Sequence, residues 1–156
     1  MNKILITYFS ASGVTKEKGH ELATLLGAHE EEIIPEEKYT SLDLDWRNKK
    51  SRSSLEMMDE TSRPKMVPFK SNLDDFDTIF IGFPIWWGVE PRIIDTFLDN
   101  YNLKGKKIIV FGTSGGSPIN YSLAHLKEKH PNLDFKKAVL LNFKLDKDEV
   151  LDLIKD

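Results

Sequence analysis

The stretch Tyr8-Phe9-Ser10-Ala11-Ser12-Gly13-Val14-Thr15 decides the fold, because an apolar strand passes there through a hydroxyl-rich turn into a helix. The run Lys3–Phe9 is nearly continuously apolar, which is typical of a strand covered on both faces. From Thr15 to Leu26, apolar residues recur at helical spacing along one face. A buried strand followed directly by a helix is a building block of parallel sheets, so the stretch predicts an α/β fold.

The turn within this stretch also has the composition of an anion site. A helix start has unpaired N–H groups and the positive end of the helix dipole, which together attract an anion, most often a phosphate. Ser10, Ser12 and Thr15 add hydroxyl groups, and Gly13 lets the backbone approach a ligand closely. A well-capped turn without a ligand would look the same, so the turn alone leaves both interpretations open.

Length and composition favour a single domain, 1–156, in the cytoplasm. The 156 residues suffice for a substantial core, cysteine is absent and the formal net charge is −3. Without cysteine there are no disulfides, thiolate metal sites or cysteine nucleophile. The sequence shows no basic stripe for nucleic acid, no secretory n-region and no long apolar run, so we expect a soluble cytoplasmic protein. We therefore expect neither nucleic acid nor a membrane as a partner.

Strand and helix patterns alternate along the rest of the chain. The predicted strands after the first are His29–Ile34, Asp77–Phe83, Lys107–Phe111 and Phe135–Asn142. The predicted helices after the first are Glu90–Tyr101, Ser117–Lys129 with Ser117 as N-cap, and Asp146–Lys155. Five strand–helix units with right-handed crossovers predict a three-layer, doubly wound, five-stranded parallel sheet.

The segment 36–72 interrupts this alternation. It is too long for an ordinary connection, and loops of this length usually carry a function or structure of their own. Ser53 and Glu56 are spaced to cap a short helix with Leu55 and Met58 facing inward. The segment is either a lid over a site or a cover for one face of the sheet.

Two further loops follow strands where open parallel sheets bind ligands, at the carboxyl ends of the strands. Pro84-Ile85-Trp86-Trp87-Gly88 follows the third predicted strand, and Thr113-Ser114-Gly115-Gly116 follows the fourth. Two adjacent tryptophans on a loop are unusual, because one of them should expose apolar area. We interpret both as walls for a flat aromatic ring rather than as core anchors.

The sequence lacks the motifs that mark the binding or catalytic sites of several other classes of α/β protein. The first turn has one glycine where a dinucleotide fold needs three, and no P-loop lysine follows it. The third predicted strand ends in Gly82-Phe83-Pro84 rather than in the aspartate of a receiver domain, and a phosphatase would need a cysteine nucleophile. No Ser-His-Asp constellation is specified, and all four histidines are expected at the surface: His20, His29, His125 and His130.

The three loops together resemble the FMN-binding loops of the flavodoxin family, and the resemblance covers essentially the whole chain. The segment from Tyr39 to Pro64 resembles a branch of small bacterial flavodoxin-like proteins. The resemblance implies the sheet order 2-1-3-4-5 and one non-covalent FMN, with the phosphate on the first loop and the ring between the other two. The cofactor-binding residues that it implies are Ser10, Ala11, Ser12, Gly13, Val14, Thr15, Pro84, Ile85, Trp86, Trp87, Gly88, Thr113, Ser114, Gly115 and Gly116.

The chain departs from the commoner family pattern in two residues and in its charge. Val14 stands where the family often has Asn, and Ser12 replaces a frequent Thr. One lost hydrogen bond to the phosphate would weaken binding by about 1 kcal/mol. Electron carriers of this family tend to be strongly acidic, which steers them to basic partners, whereas this chain is only mildly negative.

The resemblance implies a low-potential electron carrier between redox protein partners. An aromatic wall in a dry site disfavours the negatively charged reduced ring, and a backbone carbonyl near Trp87-Gly88 is expected to accept a hydrogen bond from that ring. The alternative is an NAD(P)H-dependent FMN reductase of quinones, nitro or azo compounds, for which Arg52 and Arg63 are candidate nucleotide contacts. A third alternative is a flavodoxin fold that has lost FMN. We favour the carrier.

Overall fold

The computed structural model describes residues 3–142 and 144–155, and its centre is a sheet of five parallel strands. The strands are β1 (Ile4–Tyr8), β2 (His29–Glu32), β3 (Thr78–Pro84), β4 (Lys107–Thr113) and β5 (Asp134–Leu140). Their order is β2-β1-β3-β4-β5, so the chain reverses direction across the sheet between β1 and β3. The predicted doubly wound sheet and its order are confirmed.

Helices lie on both faces of this sheet. They are α1 (Val14–Leu26), α2 (Arg52–Met58), α3 (Arg92–Asn100), α4 (Asn120–Lys129) and α5 (Lys147–Leu153), and a 3₁₀ turn lies at Leu73–Asp75. All strand pairs are parallel, and Ile6 lies opposite Phe80, which lies opposite Ile109. The central strands are therefore buried on both sides, as their continuous apolar runs require.

Alternation along the strands divides the core into two clusters. On one face, Ile6, Phe80 and Phe111 pack with Leu22 of α1 and Val150 of α5. On the other face the strand residues pack under α3 and α4, and this cluster includes Leu5, Ile79, Val110, Ile94, Phe97 and Leu126. Each cluster is a closed apolar layer, which gives the three-layer arrangement.

The segment 36–72 covers part of the α3 and α4 face. Phe69 packs on Phe97 with ring centroids 5.0 Å apart, and its amide donates to the Tyr101 hydroxyl at 2.7 Å. Tyr39 and Met66 also pack against this cluster. The segment is thus a cover for one face of the sheet, and its part between Leu44 and Ser53 also reaches the ligand edge, as described below.

Two predicted helix starts were wrong. Helix α2 is capped by Ser51, whose hydroxyl accepts from the Ser54 amide, and not by Ser53; Leu55 and Met58 point outward, 52% and 69% exposed, while Ser53 and Ser54 are buried. Helix α4 begins at Asn120, because the amide of Ser117 is held in the preceding turn by the Ser114 hydroxyl at 2.6 Å.

Candidate functional site

The first loop links the end of β1 to α1 through a left-handed residue. Gly13, with φ of 98°, stands at the N-cap position and provides no side-chain cap. The Ser10 hydroxyl accepts from the amides of Gly13 and Lys16, both at 3.1 Å, so Ser10 holds the loop in shape. Ser12 and Val14 are exposed. The loop therefore presents the open start of a 13-residue helix, where amides have no intrahelical partner.

Thr15 connects the first loop to the third. It is 1% exposed, and its hydroxyl lies 2.8 Å from the hydroxyl of Thr113 at the end of β4. Both hydroxyls are thereby engaged in the structure. Three hydroxyl residues were predicted to hold a phosphate. The hydroxyls of Ser10 and Thr15 bond other groups of the protein, whereas Ser12 is exposed.

The second loop is a tight turn over Trp86–Val89. The amide of Trp86 donates to the carbonyl of Val89, and the amide of Val89 donates back to the carbonyl of Trp86, both at 3.0 Å. The two central residues, Trp87 and Gly88, have φ of 50° and 82°, which makes the turn type I′. A tryptophan in the left-handed region is an outlier that the surroundings must stabilise, and such outliers concentrate at binding sites.

The two tryptophans of this turn have different roles. Trp86 packs edge-on against Phe9 and Tyr39, with centroids 5.7 Å and 5.5 Å away, and so belongs to the border of the core. Trp87 is 53% exposed. Trp87 therefore offers an exposed aromatic face, whereas the ring of Trp86 is fixed in place by two aromatic neighbours.

The third loop is shaped by polar contacts of Ser114. Its amide donates to the side-chain oxygen of Asn142, just beyond β5, at 3.0 Å. Its hydroxyl accepts from the amides of Gly116 and Ser117 at 3.0 Å and 2.6 Å. Gly115 and Gly116 are exposed, so the loop offers backbone rather than side chains to a ligand.

The three predicted loops meet around two adjoining cavities. One, of about 520 Å³, is lined by Ser12, Val14, Pro84, Ile85, Trp86, Thr113, Ser114, Gly115 and Asn142. The other, of about 460 Å³, is lined by Ala11, Ser12, Leu44, Trp46, Ser53, Pro84, Ile85, Trp86 and Trp87. They share Ser12 and the Pro84–Trp86 wall. No lysine, arginine, aspartate or glutamate is among these lining residues, and both volumes are in the usual range for small-molecule sites.

The segment 36–72 supplies one wall of the second cavity. Leu44, Trp46 and Ser53 line it, and Trp46 is 66% exposed with the Arg47 guanidinium 5.2 Å from its ring. Sequence reasoning left the contact of Trp46 open. Two exposed indoles, Trp46 and Trp87, thus line one cavity although they come from different parts of the chain.

Neither arginine proposed as a nucleotide contact lines the two cavities. Arg52 lies 3.8 Å from the ring centroid of Tyr39 and bonds the Glu56 carboxylate at 2.9 Å. Arg63 bonds the Asp99 carboxylate at 2.7 Å. Both guanidinium groups are engaged in holding the segment 36–72 in place.

A cluster of charged side chains around the buried Glu90 directly follows the second loop along the chain, and the sequence did not predict it. Glu90 is 0% exposed and lies 2.8 Å from Nδ1 of His125 through either oxygen, while Nε2 of His125 lies 3.2 Å from Glu60. His130 bonds the buried Asp95 at 2.9 Å. The expectation that all histidines lie at the surface is therefore wrong for His125 and His130, whose side chains are 14% and 9% exposed.

The pKa values of this cluster place a proton on His125. Burial raises the pKa of Glu90 to about 7, against the opposing effect of its bond to His125. The Glu90 carboxylate, followed by Glu60, raises the pKa of His125 to about 9. Lys129 and then His125 lower the pKa of Glu60 to about 2. The imidazole is the more basic partner, so it is a cation at neutral pH.

For some of the residues at the site that were not predicted, the sequence does contain an indication of their position. Asn142 ends the fifth predicted strand and so lies at the ligand edge of the sheet, and Glu90 follows the second loop directly. For Trp46, the only indication is that it is a third tryptophan located in a loop. His125 had none, since its partners Glu60 and Glu90 are 65 and 35 positions away.

Comparison with known proteins agrees with this geometry. A family model described as flavodoxin matches residues 3–156. The chain belongs to the flavodoxin family. No curated protein matches it.

Crystal structures of similar flavodoxin-like chains show the same fold. A candidate flavoprotein from Bacteroides eggerthii is 45% identical, with 97% of this chain and 95% of that chain covered and a TM-score of 0.94. A second, from Bacteroides uniformis, is 42% identical over 99% of each chain, with a TM-score of 0.91. A Lactobacillus acidophilus flavoprotein in complex with FMN is 24% identical over 99% of this chain and 100% of its own, with a TM-score of 0.81.

Two further features of this flavodoxin concern membranes and metals. None of the helices within residues 3–142 and 144–155 is long and apolar enough to cross a membrane. Among the described residues, no group of three or more His, Asp or Glu side chains is placed to hold a metal ion, and the carboxylates of Glu30–Glu32 bond His20, Tyr8, Ser71 and Lys16.

Proposed function

We propose that this flavodoxin binds one FMN without a covalent bond and carries electrons at low potential between protein partners. The observation that supports this best is the pair of adjoining cavities, which run from the open start of α1 to the exposed indole of Trp87. A mononucleotide has the matching chemistry, with an anion at one end and a flat aromatic ring at the other. The Lactobacillus acidophilus relative is a complex with FMN.

The first loop fits a phosphate. The amides at the start of α1 and the positive end of the helix dipole favour a negative charge there. Ser12 lines both cavities and can donate a hydrogen bond. Val14 adds no polar group, so we expect the backbone of residues 11–15 to provide most of the phosphate contacts.

The second and third loops fit the ring. Trp87 offers an aromatic face, and Pro84, Ile85 and Trp86 form an apolar wall. The exposed backbone at Gly115 and Gly116 can approach a ring closely. The Gly88 carbonyl already accepts a hydrogen bond from the buried Ser122 hydroxyl at 3.0 Å, so the turn would bind a ring without first rearranging.

FMN, when bound, supplies one-electron and two-electron redox chemistry, and the protein sets its potential. The lining residues include no positively charged side chain that would stabilise extra negative charge on a reduced ring. This is the basis for a low potential. Trp87 lies at the surface, so a ring beside it would be close to a docked protein partner.

A reductase function has one specific observation in its favour. The second cavity continues past Trp87 to Leu44 and Trp46, which leaves room for a second flat molecule beside a bound ring. A quinone, nitro or azo compound would fit such an apolar space. The absence of Arg52 and Arg63 from the cavity walls removes the candidate nucleotide contacts, and for this reason we favour the carrier.

The two functions predict different kinetics. Purified protein loaded with FMN is mixed with NADH or NADPH and a quinone, and nucleotide oxidation is followed by absorbance. For a carrier we expect negligible turnover, together with electron transfer from the chemically reduced protein to cytochrome c as a one-electron acceptor. Rapid quinone-dependent oxidation of the nucleotide would reject the carrier in favour of the reductase. Protein that stays colourless after incubation with excess FMN and desalting would contradict both.

A further inference from the structure

Helix α4 contacts the second loop through one of its faces. Ser122 is fully buried and donates to the Gly88 carbonyl at 3.0 Å. His125, one helical turn later, bonds Glu90, two residues beyond Gly88. Residues three apart on a helix lie on the same side, so a single face of α4 holds both ends of this short stretch.

His125 also contacts the segment 36–72. Its Nε2 lies 3.2 Å and 3.3 Å from the two oxygens of Glu60, which follows α2. The Arg92 guanidinium fixes the same region, since it donates to the carbonyls of Glu56, Met57 and Asp59 at 3.3, 2.9 and 3.2 Å. The imidazole therefore bridges the second loop and the segment 36–72. Each of these provides a wall of the second cavity, which Trp46 and Trp87 line.

The bridge requires a doubly protonated ring. Each nitrogen of His125 faces a carboxylate, and an ionised carboxylate can only accept hydrogen bonds. Both bonds therefore form together only when both nitrogens carry a proton. The pKa of about 9 for His125 agrees with this, and it lies above the pKa of about 7 for Glu90.

Other charged and titratable groups surround the bridge. Glu60 also bonds Lys129 of α4 at 2.7 Å and lies 3.9 Å from Arg92 of α3. Asp95 of α3 lies near Glu90 and raises its pKa, and Asp95 itself bonds His130. The charged or titratable groups that face the bridge are Glu60 from the segment, Glu90, Arg92 and Asp95 from the region of α3, and Lys129 and His130 from α4.

We propose that His125 is a positioning residue of the flavodoxin site, which as an imidazolium bridging Glu90 and Glu60 holds the Trp86–Val89 turn and the segment 36–72 in one arrangement. Its effect on FMN affinity rests on the proposed function, whereas the bridge itself does not. Trp87 and Trp46 are carried by these two parts, so the bridge sets the separation of the two exposed indoles across the cavity.

The sign of the pH dependence follows from the raised pKa. His125 has a pKa of about 9 in the folded protein against a usual value of 6.5. The contribution of the His125 charge is therefore fully present below about pH 6.5 and is lost as the pH rises through about 9. Glu90 has a pKa of about 7, so both partners of the ion pair are charged between about pH 7 and pH 9. Above about pH 9, one nitrogen can no longer donate, so one of the two bonds of the bridge is lost.

The first experiment tests the bridge without FMN. Nitrogen NMR of the apo-protein labelled in its histidines reports the protonation of each ring nitrogen of His125. We expect both nitrogens to be protonated at pH 7.5 and to lose one proton with a pKa near 9. Glu60→Gln removes a charge but keeps an acceptor, so it should lower the pKa of His125. A neutral His125 ring at pH 7.5 would overturn the proposal.

The second experiment measures FMN affinity by fluorescence titration between pH 7.5 and 9.5. We expect His125→Gln to weaken FMN binding about tenfold at pH 7.5, which corresponds to about 1.4 kcal/mol. It should also flatten the loss of affinity that the wild-type protein shows toward pH 9.5. The matched control is His20→Gln, which removes a histidine bonded to Glu30 on the opposite face of the sheet, at 72% side-chain exposure.

The outcomes separate the two proposals. His125→Gln with wild-type affinity and pH profile would overturn the positioning role. If His125→Gln does not fold, Glu60→Gln is used in its place and is expected to show a smaller loss of affinity in the same direction; wild-type affinity in Glu60→Gln would then overturn the role. If neither the wild-type protein nor His20→Gln binds FMN, the proposed function fails, while the NMR result still decides on the bridge.

Discussion

Trp86 and Trp87 are adjacent, but their surroundings predict opposite effects of substitution. Trp86→Ala removes edge contacts with Phe9 and Tyr39, so the apo-protein should lose about 3 kcal/mol of unfolding free energy. Trp87→Ala removes a half-exposed ring at φ of 50°, so stability should change little while FMN binding weakens by about 1 kcal/mol or more. Urea unfolding and FMN titration measure the two effects.

The control for this pair is Leu42→Ala, since Leu42 is an apolar residue 82% exposed on the segment 36–72. It should change neither stability nor FMN affinity. Equal effects of Trp86→Ala and Trp87→Ala on both measurements would show that the two indoles act as one unit, as the sequence alone suggested.

At the level of single residues, the sequence predicted which loops come together around the two cavities better than it predicted the contacts of each side chain. The strand ends specify the loops, because apolar runs stop there. The role of Trp86 depends on Tyr39, and the burial of Glu90 depends on His125. Such partners come from distant parts of the chain, so no local pattern indicates them. Ser10 and Thr15 illustrate the same limit, since their hydroxyls are engaged by the loop itself.

Helix α2 is held by its N-cap and by Arg92 rather than by an apolar face. Ser51 is 6% exposed and accepts from the Ser54 amide, so Ser51→Ala should cost about 1 kcal/mol of unfolding free energy. Because the segment also supplies Leu44 and Trp46, the tryptophan fluorescence of the folded protein should change as well. Ser41→Ala, at an exposed position of the same segment, is the control. An unchanged unfolding midpoint in Ser51→Ala would contradict the role of the cap.

The regular elements were predictable wherever one strong pattern determined them. Strands β1, β3 and β4 are nearly continuous apolar runs, and these were found within a few residues. The start of α2 was misplaced by two residues, because Ser51 and Ser53 are both serines and only Ser51 caps the helix. The start of α4 was misplaced because Ser114 extends the preceding turn by bonding Gly116 and Ser117. Side-chain bonds of this kind decide boundaries that periodicity cannot.

For the molecule as a whole, the sheet order determines where the three loops lie, and the net charge determines how strongly partners are attracted over a distance. The sheet order places three loops at one edge, and the predicted order follows from the family resemblance rather than from the strand patterns themselves. A formal net charge of −3 provides only weak long-range steering toward basic partners. For the protein partners that we propose, we therefore expect recognition to depend more on the apolar surface around Trp46 and Trp87 than on charge, so that the association rate varies little with salt concentration.

FMN should stabilise the whole fold, since the proposed site joins three loops that belong to β1, β3 and β4. A ligand that binds only the folded state at 100 times its dissociation constant adds about 2.7 kcal/mol to the unfolding free energy. For a chain of this size, that raises the unfolding temperature by roughly 5–10 °C.

Riboflavin has the same ring without the phosphate and is the matched control. At equal concentration it should produce a much smaller shift in differential scanning calorimetry, because the amides at the start of α1 have no anion to bind. Equal shifts with FMN and riboflavin would mean that the first loop contributes nothing, and the phosphate would then have to be sought elsewhere in the molecule.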